Sequence, residues 1–302
     1  MISSRPGTVV RTFGAAGVAL ALLGAALAAG GCAASGSQAD PASGAAGRGR
    51  PGPGSGSAHQ AGAGSAAASS PAVASPSPSA LPLAGRVVGI DPGHDGGNFA
   101  DAAYINELVW NGREYETCDT TGTQTASGFT EGSFNFAVAT DLSADLVAEG
   151  ATVVMTRQSN DGVGPCVTTR AQIINSAHAD VAIDIHADGG PSWGRGFTVL
   201  EPVADGPNDA VIASSVQFGA DVRAALLAHT TMPASDYYGS DGLISRDDLA
   251  GLNLTTVPKV LVECGNMPNP TDAASLESPA FQQQLAQAFT AAINVFLTGQ
   301  PG

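Results

Sequence analysis

Hydrophobic positions divide this chain of 302 residues into three stretches of different character. Phe13 to Ala29 is an uncharged run of Ala, Leu, Gly and Val, and from Ala33 to about Pro82 large apolar side chains are almost missing. Beyond Leu83, short apolar runs alternate with longer amphipathic ones. The short runs are rich in β-branched residues and bounded by turn residues, which predicts strands at Arg86–Asp91, Ala151–Thr156, Asp180–Ile185, Gly196–Glu201 and Lys259–Glu263. Helical periodicity predicts helices at Ser133–Glu149, Thr168–His178, Asp209–His229 and Ala273–Leu297, with Pro279 as a break or a restart. Strands that alternate with helices and read as apolar on both faces indicate an α/β fold, a single domain whose largely parallel twisted sheet is covered by helices on both faces. Residues 83–302 are a typical length for one domain with a substantial core, and no second domain or internal repeat is visible.

The first stretch changes the picture of where the domain works. Arg5 and Arg11 precede the apolar run, giving the charged and hydrophobic regions of an export signal. The run falls short of the roughly 20 residues that span a bilayer, so a removed or lipid-capped signal is expected. It closes at AAGGCAAS, where Cys32 follows small residues, as the lipid-modified cysteine of a bacterial lipoprotein does. Ala29 stands where such sites usually carry Leu, and cleavage near Ala28–Gly31 to give a secreted protein is the alternative. Residues 1–32 are therefore expected to be a signal peptide with a lipobox-like cysteine. Residues 33–82, almost wholly Ala, Gly, Ser and Pro, cannot bury enough surface to offset chain entropy and form a tether. Its r.m.s. span is about 40 Å. A net charge of −15 argues against nucleic acid and against docking on anionic lipid, leaving the lipid anchor as the expected membrane contact.

Candidate chemistry lies at strand ends. In VVGIDPGHDGG His94 follows the end of the first strand, His186 closes VAIDIHAD, and Glu263 closes VPKVLVECGN. In open α/β sheets ligands gather at the carboxyl ends of strands. Two histidines and a carboxylate are the donor set of a catalytic zinc position with one place left for water. Their long spacing does not by itself prove convergence: His94 capping a turn and His186 as a satisfied core histidine are the alternatives. His59 lies in the tether, while His178 and His229 end helices, where imidazole suits the dipole.

The ordered motifs IDPGHDGG, TEGSFNFAVATDL, RAQIINSAHADVAIDIHADGG and VPKVLVECGNMPNPTDA span nearly all of Leu83–Leu297. Together they resemble the zinc-dependent N-acetylmuramoyl-L-alanine amidases of the amidase-3 family, especially the single-domain mycobacterial and actinobacterial type. The resemblance implies Zn2+ held by His94, Glu131 and His186, with Glu263 as the catalytic carboxylate. It implies hydrolysis of the amide between N-acetylmuramic acid and L-alanine in peptidoglycan or muropeptide fragments, with residues 83–302 as the catalytic domain; the export signal puts the expected site of action in the cell envelope, and a monomer is expected. Glu131 also makes independent sense near a helix start, where a carboxylate is favoured. A zinc peptidase acting within the stem peptide remains an alternative, as does a noncatalytic peptidoglycan-binding lipoprotein, against which Glu263 speaks. Many relatives read Ser-Ile-His-Ala-Asn around the second histidine, whereas this chain has Asp184 and Asp188. Asp184 lies on the same strand face as His186; it either orients that ligand or is a buried acid paired with an arginine such as Arg170. No appended wall-binding repeat is visible, which favours small fragments or a localising partner.

Three further cysteines remain. Cys264 adjoins Glu263 on a strand and should turn to the opposite face as a small apolar group. Cys118, in REYETCDTTGTQT, and Cys166, in DGVGPCVTTR, lie in loops of a chain expected in an oxidising compartment. A Cys118–Cys166 disulfide is expected, holding the segment that leads to Glu131; two unpaired thiols are the alternative.

Overall fold

The structure, a computed structural model, describes residues 81–300; the expected signal, Cys32 and nearly all of the expected tether lie outside the described residues. In chain order the elements are β1 (Val87–Pro92), α1 (Ala102–Ile105), β2 (Leu108–Trp110), β3 (Tyr115–Thr117), α2 (Glu131–Ala148), β4 (Thr152–Met155), α3 (Val167–Ser176) and β5 (Val181–Asp188). There follow β6 (Thr198–Pro202), α4 (Ile212–His229), β7 (Leu243–Arg246), α5 (Ala250–Asn253), β8 (Lys259–Asn266), α6 (Pro270–Leu276) and α7 (Pro279–Thr298). Every strand and helix expected from periodicity is present. Pro279 is a restart: it occupies the first turn of α7 after Ser278, where its missing N–H costs nothing. The hairpin β2–β3 and strand β7 were not anticipated, because runs of three or four residues carry too little pattern.

Six strands form one sheet in the order β4-β1-β5-β8-β6-β7. Strands β4, β1, β5 and β8 are parallel, β6 runs antiparallel to β8, and β7 follows β6 in parallel. The sheet is thus α/β and mostly parallel, with an edge of two strands running the other way. One face packs on α2, α4 and α7 through Val88, Ile90, Val181, Ile183, Ile185, Val260, Val262 and Cys264. Phe134, Phe218 and Phe289 are fully buried there, each stabilising the fold by about 1.5–3 kcal/mol.

The other face corrects the expectation of strands apolar on both sides. Strand side chains alternate, so the positions between those apolar ones share the opposite face. They are Asp91 on β1, Asp184 and His186 on β5, and Lys259, Leu261 and Glu263 on β8. Helix α3 covers the start of this face through Ile174 against Ala182, and α5 covers Leu200 and Leu261 through Leu252. Towards the carboxyl ends of the strands the face is charged and buried.

Candidate metal centre

Strand β1 delivers His94 through a turn that the backbone must be held in. His94 adopts φ of +58°, a left-handed conformation costly for a residue with a Cβ. Arg170 of α3 fixes it by donating from Nη2 to the His94 carbonyl at 2.8 Å and from Nη1 to the Pro92 carbonyl at 2.8 Å. Arg157 donates to the same turn at Pro92 and Gly93. Residue 93 must be glycine, because a Cβ there would stand 2.1 Å from the His186 ring. The missing side chain lets the second imidazole lie against the first, with ring centroids 4.9 Å apart and edge to face.

Glu131 is the first residue of α2, after the capping Thr130, two residues before the expected helix start. Its Oε1 lies 2.8 Å from His186 Nδ1 and 3.2 Å from His94 Nε2. The backbone N–H of Thr123 donates to its Oε2 at 2.9 Å and that of Ala187 to its Oε1 at 3.2 Å. One ligand atom from each of His94, Glu131 and His186 lies within 4.8 Å of the others, close enough for one metal ion.

The remaining nitrogen of each imidazole meets an acid. His94 Nδ1 is 3.1 Å from Asp119 Oδ1, and His186 Nε2 is 3.3 Å from Asp184 Oδ1, an enclosed oxygen with no other partner. Carboxylates behind metal-binding histidines fix the tautomer and raise ligand basicity. The acids are held in turn: Arg170 pairs with Asp119 at 3.1 Å and Asp91 at 3.2 Å, while Lys259 pairs with Asp91 at 2.8 Å and Asp184 at 3.3 Å. The cation of Asp184 is therefore Lys259; Arg170 serves Asp91 and Asp119. Burial works against charge on His94, yet the Glu131 and Asp119 carboxylates lift its pKa to about 9. Burial likewise opposes charge on His186, and Asp184 and Glu131 raise it well above the ordinary imidazole range. A site that stabilises positive charge so strongly suits a cation, whose binding would displace those protons.

Glu263 stands beside His186 in the strand register and lines the same cavity of about 350 Å³. Its Oε2 is enclosed and has no hydrogen-bond partner. Burial pushes its pKa up to about 8, although His186 pulls the other way.

Cys118 and Cys166 are bonded to each other, and Cys264 is a buried thiol facing the apolar core. The bond joins the segment carrying Asp119 to the residue that caps α3, so it acts closest to the His94–Asp119–Arg170 chain rather than to Glu131 directly.

Comparison with known proteins matches residues 88–295 to the amidase-3 family profile, described as N-acetylmuramoyl-L-alanine amidase. The chain belongs to the amidase-3 family. An N-acetylmuramoyl-L-alanine amidase of Mycobacterium tuberculosis is 42% identical over 226 residues, covering 74% of this chain and 91% of that one. Among solved structures, the Ami1 amidase of Mycobacterium smegmatis matches with a TM-score of 0.68 at 42% identity, covering 72% of this chain and 99% of its own. Apo Ami1 of Mycobacterium abscessus gives 0.68 at 39% identity, covering 72% and 100%. This amidase-3 domain is an enzyme domain, and its sequence motifs converge on one cavity. Asp119, Arg157 and Lys259 are site residues that sequence reasoning missed, although Asp119 carried a signal as an acid next to a candidate disulfide cysteine; Arg170 is expected as a partner of Asp184 and is found on Asp91 and Asp119 instead.

Proposed function

We propose that the chain is a zinc-dependent N-acetylmuramoyl-L-alanine amidase cutting the amide between the lactyl group of N-acetylmuramic acid and L-alanine of the stem peptide. The observation that carries this reading is Glu131 Oε1 poised between His94 Nε2 and His186 Nδ1, with the unpartnered Glu263 carboxyl in the same cavity. Two imidazoles and one carboxylate are the donor set of a catalytic zinc position. A zinc ion held there would supply Lewis-acid polarisation of the scissile carbonyl and would lower the pKa of bound water towards about 7. His94 and His186 are oriented for that task by Asp119 and Asp184. Glu263 accepts the proton of the attacking water through its free oxygen and returns it to the nitrogen of departing L-alanine. The C–O bond forms, the C–N bond breaks, and a lactyl carboxylate and a free amine result.

The test is digestion of isolated sacculi by purified protein before chelation, after chelation, and after zinc is restored, with the products weighed by mass spectrometry. Glycan chains bearing free lactyl carboxylates, formed only with metal, are expected. Stem-peptide fragments with the lactyl–alanine amide intact, or activity indifferent to chelation, would overturn the reading.

The same proposal places the domain outside the cytoplasmic membrane, lipid-anchored at Cys32 and reaching the wall on the residue 33–82 tether. Cys32→Ser is expected to move the protein from the membrane fraction to the aqueous one. Wild-type protein found wholly in the aqueous fraction would remove the anchor.

A further inference from the structure

The exposed apolar side chains differ in where they lie, with Leu108 the exposed aliphatic that shares a face with aromatic ones. Aliphatic ones, such as Val147, Val216, Leu227 and Val295, are scattered singly over α2, α4 and α7, which is ordinary for a soluble surface. The aromatic ones, Phe99, Trp110, Tyr115 and Trp193, are 50–76% exposed and lie on segments that meet the edge of the catalytic cavity. Both tryptophans of the chain are among them.

Three of them, Trp110, Tyr115 and Trp193, form two platforms. On the hairpin, Leu108 and Trp110 pair in register with Thr117 and Tyr115, so these four share one face, and Thr117 lines the cavity. The Trp110 and Tyr115 rings meet edge to face at 5.3 Å. Near the end of β5, Tyr237 donates its hydroxyl to Asp188 at 2.6 Å, Asp188 lines the cavity, and Trp193 stands edge to face with Tyr237 at 6.5 Å.

Both platforms are exposed yet firmly mounted. A two-stranded ribbon is marginal alone. This one is tied down by the Ala250 N–H donating to Glu116 Oε1 at 2.8 Å, by Asn111 donating to the Asp248 carbonyl at 3.1 Å, and by the Cys118 disulfide. Buried Asn266 donates to the carbonyls of Pro191 and Gly194, and Asn269 to that of Ser192, clasping the turn that presents Trp193. Rigid mounting of a solvent-facing aromatic lowers the entropy lost when it captures a ligand.

We propose that the two platforms are sugar-binding subsites that hold the glycan strand of polymeric peptidoglycan while the cavity engages one muramyl residue. This rests on the amidase reading and deepens it towards polymeric wall. The chemistry selects a neutral saccharide: a pyranose offers an apolar C–H face to an aromatic ring and polar edges to water. A charged stem peptide or an anionic membrane would need free cations. The nearby ones are engaged, Arg113 by Asp205 and Asp247, and Arg195 by Asp272.

Kinetics on two substrates decides it: isolated sacculi, and N-acetylmuramyl-L-alanyl peptide without adjoining sugars. Trp110→Ala and Trp193→Ala should each raise KM for sacculi about tenfold, as truncation of an aromatic anchor does. Kinetics on the small substrate, zinc content and thermal midpoint should stay as in wild type, and the Phe variants should recover most of the loss. A tetramer of N-acetylglucosamine should give a saturable change in tryptophan fluorescence of the wild type. Unaltered KM for sacculi, equal losses on both substrates, or variants whose sole effect is to dissociate a dimer would overturn the proposal. Wild-type protein inert towards both substrates would instead sink the amidase reading, and the fluorescence titration would still decide the subsites: saturation supports them, and no change refutes them.

Discussion

Glu131 and Glu263 are the same residue type at the rim of one cavity, and their surroundings drive them in opposite directions. Burial pushes both carboxyls up. Around Glu131 the charges and hydrogen bonds of His94 and His186 overturn that push and hold it well below the ordinary carboxylate range. Around Glu263 burial prevails, with Glu131 and Asp188 adding like charge, and the group rises to about 8. Partners decide the outcome, and depth alone does not. A pair of carboxyls pushed apart in this way marks a division of labour, one fixed as an anion and one poised to exchange a proton near neutrality.

The largest expected effect breaks that division most directly. Glu263→Gln keeps shape but loses the proton acceptor, so kcat should fall by about 100-fold to 10,000-fold with zinc content unchanged. Glu131→Gln should show the reverse order of damage, with zinc lost first and activity as a consequence. Metal analysis of the two purified variants alongside turnover checks both. A Glu263→Gln protein without metal, or a Glu131→Gln protein that retains it, would show that the two glutamates do not divide the work.

Next in size is the disulfide, which belongs to the metal-holding side. It closes a separation of 48 residues, and loop-closure entropy puts its contribution at about 4 kcal/mol. Replacing Cys118 and Cys166 together by Ala should lower the thermal midpoint and weaken zinc retention through Asp119 and His94, while turnover per bound zinc stays level. A change in turnover per zinc would tie the bond to the Glu263 side instead.

Why one side could be read in the sequence better than the other is visible in particular residues. The motif order pointed to His94, Glu131, His186 and Glu263, and alternation correctly turned Cys264 away from Glu263. Alternation also places Asp184 with His186 in VAIDIHAD, yet the strand looks apolar because Val181, Ile183 and Ile185 dominate it. Of the supporting cations, Lys259 is not legible, and Arg170 is suggested only as a partner of Asp184, not of Asp91 and Asp119. Lys259 meets Asp91 across 168 positions and Arg170 meets it across 79, and no local pattern distinguishes a buried lysine from a solvated one. The hairpin that mounts Trp110 has strands of three residues, below the length at which a period shows.

A smaller effect sharpens the contrast through pH. In chelated protein the folded Glu263 carboxyl titrates near 8, whereas the unfolded one titrates near 4.5. Between those values the unfolded chain has released a proton that the folded one keeps, so rising pH favours unfolding across this window. Glu263→Gln removes that term. The metal-free variant should therefore be more stable than metal-free wild type by about 3 kcal/mol at pH 7, with the difference vanishing below about pH 4.5. Denaturant melts at several pH values check it, and a gap that stayed constant with pH would mean that Glu263 is not held protonated by the fold.

The finest test concerns Asp184, the acid between His186 and Lys259. Asp184→Asn keeps the volume and leaves Lys259 its closer partner Asp91, so the fold should survive. What changes is the grip on His186 Nε2: an amide oxygen can still accept a hydrogen bond from the ring N–H but no longer adds negative charge, and the imidazole becomes a weaker donor to the metal. Zinc affinity, measured by competition with a chromophoric chelator, should fall by about tenfold. Asp272→Asn provides the control, because Asp272 is a buried acid paired with Arg195 away from the ligands, and its loss should cost stability without altering zinc affinity. Equal affinity in Asp184→Asn and wild type would assign Asp184 to the neutralisation of Lys259 alone, and would leave His94, backed by Asp119 and Arg170, as the one imidazole whose basicity the fold tunes.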